Sequence, residues 1–321
     1  MKPHISVVIP VYNESKNLKQ LFARLTTTLD KTGKTYEIIF TNDGSKDNSN
    51  EILEGFYKLR PEQIRVIEFS RNFGQHMAVM AGFELSKGDI IVTLDSDLQN
   101  PPEEIPKLLA LAEKGHDLVS GIRLHERKDN WFRRNTSILV NKVRALITNI
   151  NMTDHGCMLR AYSRNVIDLM IASNETSVFI PALAYTYATN PAEVKVDHEA
   201  RATGTSKYSL YDLIRLNFDL MTGYSLVPLQ IFTIIGFGIA FLSIVFVIFL
   251  FIRRIIVGPE VQGVFTLFAI LFFLVGVILM GLGIMGEYIG RIYKEVQRRP
   301  RFAIKKVLGA ELDEKDSHIR Y

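Results

Sequence analysis

The sequence predicts an α/β domain built on a mostly parallel sheet, followed by a hairpin of two membrane-crossing helices. Three observations carry that expectation. Short apolar runs alternate with stretches of helical spacing from residue 5 to about residue 121, the pattern of parallel strands joined by crossover helices. The runs end in polar, turn-forming segments, "PVYNE", "NDGS", "SRNFG" and "DSDLQN". Two later runs, Thr222 to Ile252 and Gly263 to Gly286, contain no charged residue, and each exceeds the roughly 20 apolar residues that span a bilayer.

The first run, "ISVVIPVY", is apolar and β-branched and reads as a buried strand. Leu18, Leu21, Phe22, Leu25 and Leu29 then recur at helical spacing. "YEIIFTND" is the second strand, with a helix over about 47–59. "IRVIEFS" is the third, with a helix over about 75–85, and "GDIIVTLD" the fourth, with a helix over 103–114. "DLVSG" is the fifth. Ligands bind parallel sheets at the carboxyl ends of the strands, so the polar segments can converge on one site.

After Gly121 the pattern loosens. "WFRRNTSILVNKVRALITNI" predicts a basic amphipathic helix. Trp131, Arg133 and Arg134 at its start suit a membrane interface, where aromatic rings and cations meet headgroups, or a plain packed helix. A short segment, "DHGCMLRAYS", precedes a helical stretch near 163–188, and "AEVKVDHEAR" returns to a strand. "SKYSLYDLIRLNFDLMTGYS" is again amphipathic. The short linker "RRIIVGPEVQ" makes a hairpin of the two apolar helices. Seven basic residues follow in "EYIGRIYKEVQRRPRFAIKK", against Arg253 and Arg254 in the linker. That asymmetry places both ends of the hairpin on the cytosolic side. The expected organisation is a cytosolic domain over 1–206, an interface helix over 207–225, the hairpin over 226–287, and a basic segment with a loosely ordered polar tail over 288–321.

A net charge of +4 permits contact with nucleic acid or with an anionic membrane. The single cysteine, Cys157, excludes an intrachain disulfide, and no Cys/His spacing points to zinc. The start, "MKPHISVVIPVYNE", lacks the apolar core of a signal peptide, which agrees with a cytosolic N-terminal domain.

The chemistry centres on "TLDSDLQNPPEE". Asp95 and Asp97 lie two residues apart at the end of a buried strand, where like charges repel unless a cation or a solvated turn relieves them. Oxygen donors suit Mg²⁺ or Mn²⁺, commonly with substrate phosphates completing the shell. Arg201 and Lys207, in "RATGTSKY", are either phosphate contacts or ordinary surface charge. Gly204 and Ser206 between them allow the backbone close to a phosphate. His76, His155 and Cys157 have no nameable partners and read as structural.

The loops "VVIPVYNE", "NDGSKDNS", "SRNFGQ" and "LDSDLQNPPE", in this order and spacing, resemble glycosyltransferase family 2 with its GT-A fold. "DHGCMLRAY", "RATGTSKYS" and "GLGIMGEYIGRIYKEVQRRPRF", with the hairpin, resemble its polyprenyl-phosphate branch. The resemblance covers about residues 5–307. It implies an inverting enzyme that moves a sugar from a UDP-sugar to undecaprenyl phosphate at the cytosolic face of a bacterial inner membrane, for lipid A or another envelope glycan. "RNFGQHMAVMAGF", "LQNPPEEIPKL", "FIPALA" and "GVFTLFA" favour 4-deoxy-4-formamido-L-arabinose as the sugar, over glucose, N-acetylhexosamine or another hexose. By the same resemblance Pro10, Tyr12 and Glu14 line the nucleotide site, Asp43 hydrogen-bonds the uracil, and Arg71 approaches the nucleotide. The family often carries two acids before the glycine of that loop; here the first is Asn42. Asp95 and Asp97 hold Mg²⁺ or Mn²⁺, Asp97 most directly, and Arg201, Ser206 and Lys207 hold phosphate. Asp154 is the family's candidate base. A phosphate monoester with a second pKa near 6 is largely dianionic at neutral pH and can attack unaided, so Asp154 either removes a proton or positions substrate. The implied partners are donor, lipid acceptor and membrane lipids, with a homo-oligomer and no nucleic acid. A membrane scaffold or flippase subunit with an inactive nucleotide domain is the rival outside the class, and the intact Asp95/Asp97 pair argues against it.

Overall fold

This computed structural model describes residues 2–123, 153–154, 156–173, 175, 179–199, 222, 225–258, 263–297 and 299–309. They fall into two compact units. The predicted amphipathic segment over 131–150 and most of the predicted interface helix over 207–225 lie outside the described residues, as do Arg201, Gly204, Ser206, Lys207, His155, Trp131, Arg133 and Arg134.

The first unit is the sheet and its helices. β1 (Ile5–Val11) and β2 (Tyr36–Asn42) are buried along their whole length, as near-continuous apolar runs must be in a parallel sheet covered on both faces. β3 (Ile64–Phe69) and β4 (Ile90–Thr93) extend the parallel set on either side. Beyond β4 come β6 (Arg160–Ser163), antiparallel to both its neighbours, then β5 (Leu118–Arg123) and β7 (Pro191–Val196). At the other edge β8 (Ile304–Leu308) pairs antiparallel with β3. The described strands therefore run β7-β5-β6-β4-β1-β2-β3-β8.

The helices follow the apolar spacing. α1 (Leu18–Lys31) buries Leu18, Leu21, Leu25 and Leu29. α2 (Ser49–Leu59) and α4 (Ile105–Ala112) are similarly one-sided. α3 (Gln75–Leu85) differs: Ala78, Val79, Met80, Ala81, Gly82 and Phe83 are all buried, as an all-round apolar helix requires. A Cβ on Gly82 would overlap Val8 Cγ1, so glycine sets how closely α3 approaches β1. The stretch predicted as helical over 163–188 is two helices, α5 (Arg164–Ala172) and α6 (Ile180–Tyr187). The Ser163 Oγ caps α5 by accepting from Val166 N at 3.4 Å. Pro181 stands in the first turn of α6, where its missing N–H is no loss.

One segment gains an element and one assignment needs correction. "DHGCMLRAYS", given no element of its own above, ends in β6 inside the sheet. The segment after the hairpin is not only a basic juxtamembrane stretch and tail, since Ile304–Leu308 is a strand of the first unit. Two adjacent lysines in "AIKKVL" hide it: Lys305 and Lys306 face Glu68 and Glu54 at 2.5 and 2.8 Å.

In the second unit α7 (Val227–Val257) and α8 (Val264–Gln297) are long and apolar enough to cross a membrane. The 31 residues of α7 span about 46 Å at the helical rise. Phe237, Ile234 and Phe272 are about 70% exposed, which a bilayer accepts and water does not. α8 approaches α7 at Gly281, where a Cβ would overlap the Phe232 ring, the small-residue contact typical of membrane helices. Tyr288 Oη donates to Ser225 O at 2.7 Å, and Arg291 Nη2 to Thr222 Oγ1 at 2.8 Å.

The α3–β1 contact is testable. Gly82→Ala should destabilise the full chain by about 1–3 kcal/mol through overpacking, and adding Val8→Ala should restore part of that loss. Thermal melts in detergent micelles measure both. A Gly82→Ala chain as stable as the parent would refute the close approach.

Candidate functional site

Four loops leave the carboxyl ends of β1, β2, β3 and β4, and hydrogen bonds tie each to the next. Pro10 is buried near the end of β1, where the ladder to β4 has already stopped at the Val8–Thr93 pair, so its missing N–H leaves no bond to β4 unmade. Tyr12 is 44% exposed. Asn13 adopts φ 55°, a left-handed conformation that Asn tolerates. Its N–H donates to Ser45 Oγ at 3.0 Å, and its Oδ1 accepts from Lys46 N at 2.8 Å. Glu14 N donates to Ser49 Oγ and Ser15 N to Asp47 Oδ2, both at 3.1 Å. The Glu14 carboxylate accepts from Asn17 Nδ2 at 2.6 Å.

The loop after β2 is joined in turn to the loop after β3. Asp43 is 2% exposed. Its Oδ1 accepts from Phe73 N at 2.6 Å and its Oδ2 from Gly74 N at 2.9 Å. Burial pushes its pKa up, and these two N–H groups only partly oppose that. Gly44 adopts φ 66°, and a Cβ there would come 2.6 Å from the Arg71 carbonyl carbon, so only glycine allows the two loops to touch. Arg71 itself is exposed, its guanidinium carbon 4.8 Å from the Phe73 ring centroid. Asp43 was expected to meet a uracil; in this structure its two oxygens first hold the Arg71 loop.

The loop after β3 reaches the carboxylate pair. Gln75 Nε2 donates to Asp95 Oδ1 at 2.6 Å, and Gln99 N donates to Asp97 Oδ1 at 3.1 Å. Leu98, between them in sequence, adopts φ 63°, which costs a side-chain-bearing residue roughly 1–2 kcal/mol. That strained turn directs the chain just after Asp97, while Leu98 itself is buried. Asp95 and Asp97 are both half-buried. Among the described residues no third His, Cys, Asp or Glu joins them as a metal cluster. Two half-buried carboxylates fit a Mg²⁺ or Mn²⁺ ion shared with a diphosphate, since Mg²⁺ commonly takes only one or two carboxylates.

Asp154 lies beside the end of β5. Arg123 Nε and Nη2 donate to its two carboxylate oxygens at 2.7 and 2.8 Å, and Gly156 N adds a bond at 2.9 Å. Burial is the largest single effect and opposes the charged form, but the Arg123 hydrogen bonds and charge together with the Gly156 and Arg123 N–H groups outweigh it and hold the Asp154 pKa below the usual carboxylate range. The nearby Asp95 charge helps to raise the Arg123 pKa, after the larger effect of Asp154. Arg160, with no exposed surface, steadies this corner by donating to Asp154 O and Ser120 Oγ, each at 2.8 Å. A carboxylate so engaged is a weak base and a firm anchor.

The structure thus joins Pro10, Tyr12, Glu14, Asp43, Arg71, Asp95 and Asp97 through one network of loops, with Asp154 at the adjoining strand end. Sequence reasoning missed Arg123 and Gln75. Arg123 carried a signal, a cation two residues after "LVSG" at a strand's carboxyl end. Gln75 sat in a quoted motif, but only the fold shows that it reaches Asp95.

Comparison with known proteins agrees with this arrangement. The family described as "Glycosyl transferase family 2" matches residues 6–170. The undecaprenyl-phosphate 4-deoxy-4-formamido-L-arabinose transferase of Shewanella sediminis (strain HAW-EB3) is 48% identical over 309 residues, 96% of this chain and 93% of that protein. The transferase of the same name from Aeromonas hydrophila subsp. hydrophila is 46% identical, over 95% of this chain and 94% of its own. That from Proteus mirabilis (strain HI4320) is 45% identical, over 97% and 96%. With matches of that length and identity, the chain belongs to glycosyltransferase family 2 and is a glycosyltransferase of the GT-A fold.

Proposed function

We propose that the enzyme transfers a sugar from a UDP-sugar to undecaprenyl phosphate in one displacement that inverts the anomeric carbon. The observation that carries this is the Asp95/Asp97 pair at a strand end beside the Arg71 loop, in a chain whose relatives match it almost from end to end. The names of those relatives support undecaprenyl phosphate as acceptor and 4-deoxy-4-formamido-L-arabinose as the sugar. The lipid-linked product suits later transfer to an envelope glycan such as lipid A. Two apolar helices, with more Lys and Arg after the second than between them, support an inner membrane with the sheet unit on the cytosolic side.

Each group then has a task. The loops after β1 and β2 bind the nucleotide through Pro10, Tyr12, Glu14 and Asp43, and Arg71 approaches it from the loop after β3. Asp95 and Asp97 hold a divalent cation, which would offset the charge of the departing diphosphate. Arg201, Ser206 and Lys207 supply phosphate contacts. Asp154 positions substrate through its pairing with Arg123 rather than removing a proton, because the acceptor dianion attacks without giving one up. The hairpin keeps the site where a polyprenyl phosphate presents its headgroup.

Two experiments test the assignment. Asp97→Asn should cut transfer by on the order of 10²-fold or more while the chain stays folded in membranes. UDP release from donor, undecaprenyl phosphate and Mn²⁺ is the assay, and near-normal metal-dependent turnover in that variant would sink the metal role. Asp154→Asn should slow transfer only about tenfold, the scale of a lost orienting contact, with a pH profile parallel to the parent's from about pH 6 to pH 8. The sign follows from the depressed Asp154 pKa. Its pairing is complete above the ordinary carboxylate value near 4 and is lost only in more acid solution, so Asp154 does not titrate in that window. A loss of about 10²–10⁴-fold at every pH there would instead mark Asp154 as a general base.

A further inference from the structure

β8 follows the hairpin in sequence, yet it seats the loop that carries Arg71. Phe302, just before β8, is 6% exposed. Its ring stacks on Phe69, with centroids 5.1 Å apart and planes 13° from parallel. Phe69 meets Phe73 edge to face at 5.6 Å and 85°. Phe73 in turn carries the Arg71 guanidinium on its face. The backbone makes the same connection, since Ser70 N donates to Ala303 O at 3.0 Å. The Arg71 loop is thus held at its exit by Asp43, through Phe73 and Gly74, and at its entry by the segment before β8.

Each link is of a kind that transmits position. Offset-stacked and edge-to-face rings prefer particular geometries, and a cation over an aromatic face is held less loosely than one in water. Arg71 is exposed, so no core packing fixes its long side chain. Its platform is Phe73, and that ring lies against Phe69.

We propose that Phe302 is a positioning residue for Arg71, setting nucleotide affinity through the Phe302–Phe69–Phe73 chain of rings. The proposal rests on the reading above that Arg71 approaches the nucleotide. It adds that residues beyond the hairpin, remote in sequence from every nucleotide motif, tune that contact.

The test uses the full chain in detergent micelles, with UDP and Mn²⁺ as the probe in calorimetry. Arg71→Gln, Phe302→Leu, their double variant and Val307→Ala are compared for UDP affinity, donor and acceptor KM, and thermal melting. Phe302→Leu should weaken UDP binding about threefold to tenfold and raise the donor KM while the acceptor KM holds. The double variant should bind UDP no more weakly than Arg71→Gln alone, because the ring acts through the arginine. Val307→Ala, in β8 opposite Ile67, should lower the melting temperature and leave UDP affinity unchanged. Multiplied effects in the double variant, or parent-like UDP binding by Phe302→Leu when Arg71→Gln is weakened, overturn the positioning role. Unchanged binding by Arg71→Gln overturns the nucleotide reading of Arg71 itself, and the inference with it. Should Phe302→Leu not fold, Phe73→Leu breaks the chain one ring nearer the arginine and must show the same non-additivity.

Discussion

A buried carboxylate accepting two backbone N–H groups holds this site in shape. Asp43 reaches across from the end of β2 and takes the amides of Phe73 and Gly74. Its burial raises the pKa, and these two donors offset part of that desolvation cost. Loops at a sheet edge would otherwise carry about 1–2 kcal/mol of backbone freedom per residue. The Asp43 bonds remove much of that freedom from residues 70–74 before any ligand arrives. Gly44 makes the contact sterically possible, because any side chain there would collide with the Arg71 backbone.

The other ties depend on that one. Ser45, Asp47 and Ser49 fasten the loop after β1 to the loop after β2. Gln75, placed by the fixed Gly74, fastens the loop after β3 to Asp95. Strand ends that share only an edge thereby become one preorganised surface, and a ligand bound there loses little affinity to ordering it. The corner at Asp154 is built on the same principle with opposite emphasis. There an ion pair with Arg123, backed by the buried Arg160, keeps a carboxylate charged and occupied. Among the described residues Asn13 and Leu98 are the non-glycine residues with positive φ, and at Leu98, a residue less tolerant of it than Asn, the strained turn sets the direction of the chain beside the carboxylate pair.

Much of this was legible in the sequence because burial and periodicity write themselves in residue order. "ISVVIPV" and "YEIIFTN" are continuous apolar runs because both faces of their strands are covered, and α1 shows its leucines at helical spacing. The motif residues of the first four loops were legible because each directly follows such a run. What stayed hidden is non-local. Asp43 looks like a ligand contact in a turn, and only the fold shows that its oxygens face the amides of a loop some thirty residues on. β6 was obscured by its length, four residues, too few for a period. β8 was obscured by two lysines, whose ion pairs with Glu68 and Glu54 make them suitable edge residues.

That edge shows how sheet and chain order interact. β3 would end the parallel sheet with an open row of backbone donors and acceptors, the usual invitation to unwanted pairing. The strand that covers it arrives 237 residues after Glu68, measured at the Lys305 pair. Closing so long a loop costs little extra in equilibrium terms, since the entropy grows only with the logarithm of length. It does delay pairing, because non-local contacts form late. The β3 edge therefore stays open until residues beyond both apolar helices exist. The register shift opposite Glu68 and Phe69, which leaves Lys305 without a partner in the ladder, falls where the chain turns into the Arg71 loop. The last described strand thus seats the start of the Arg71 loop only when both apolar helices have already been made.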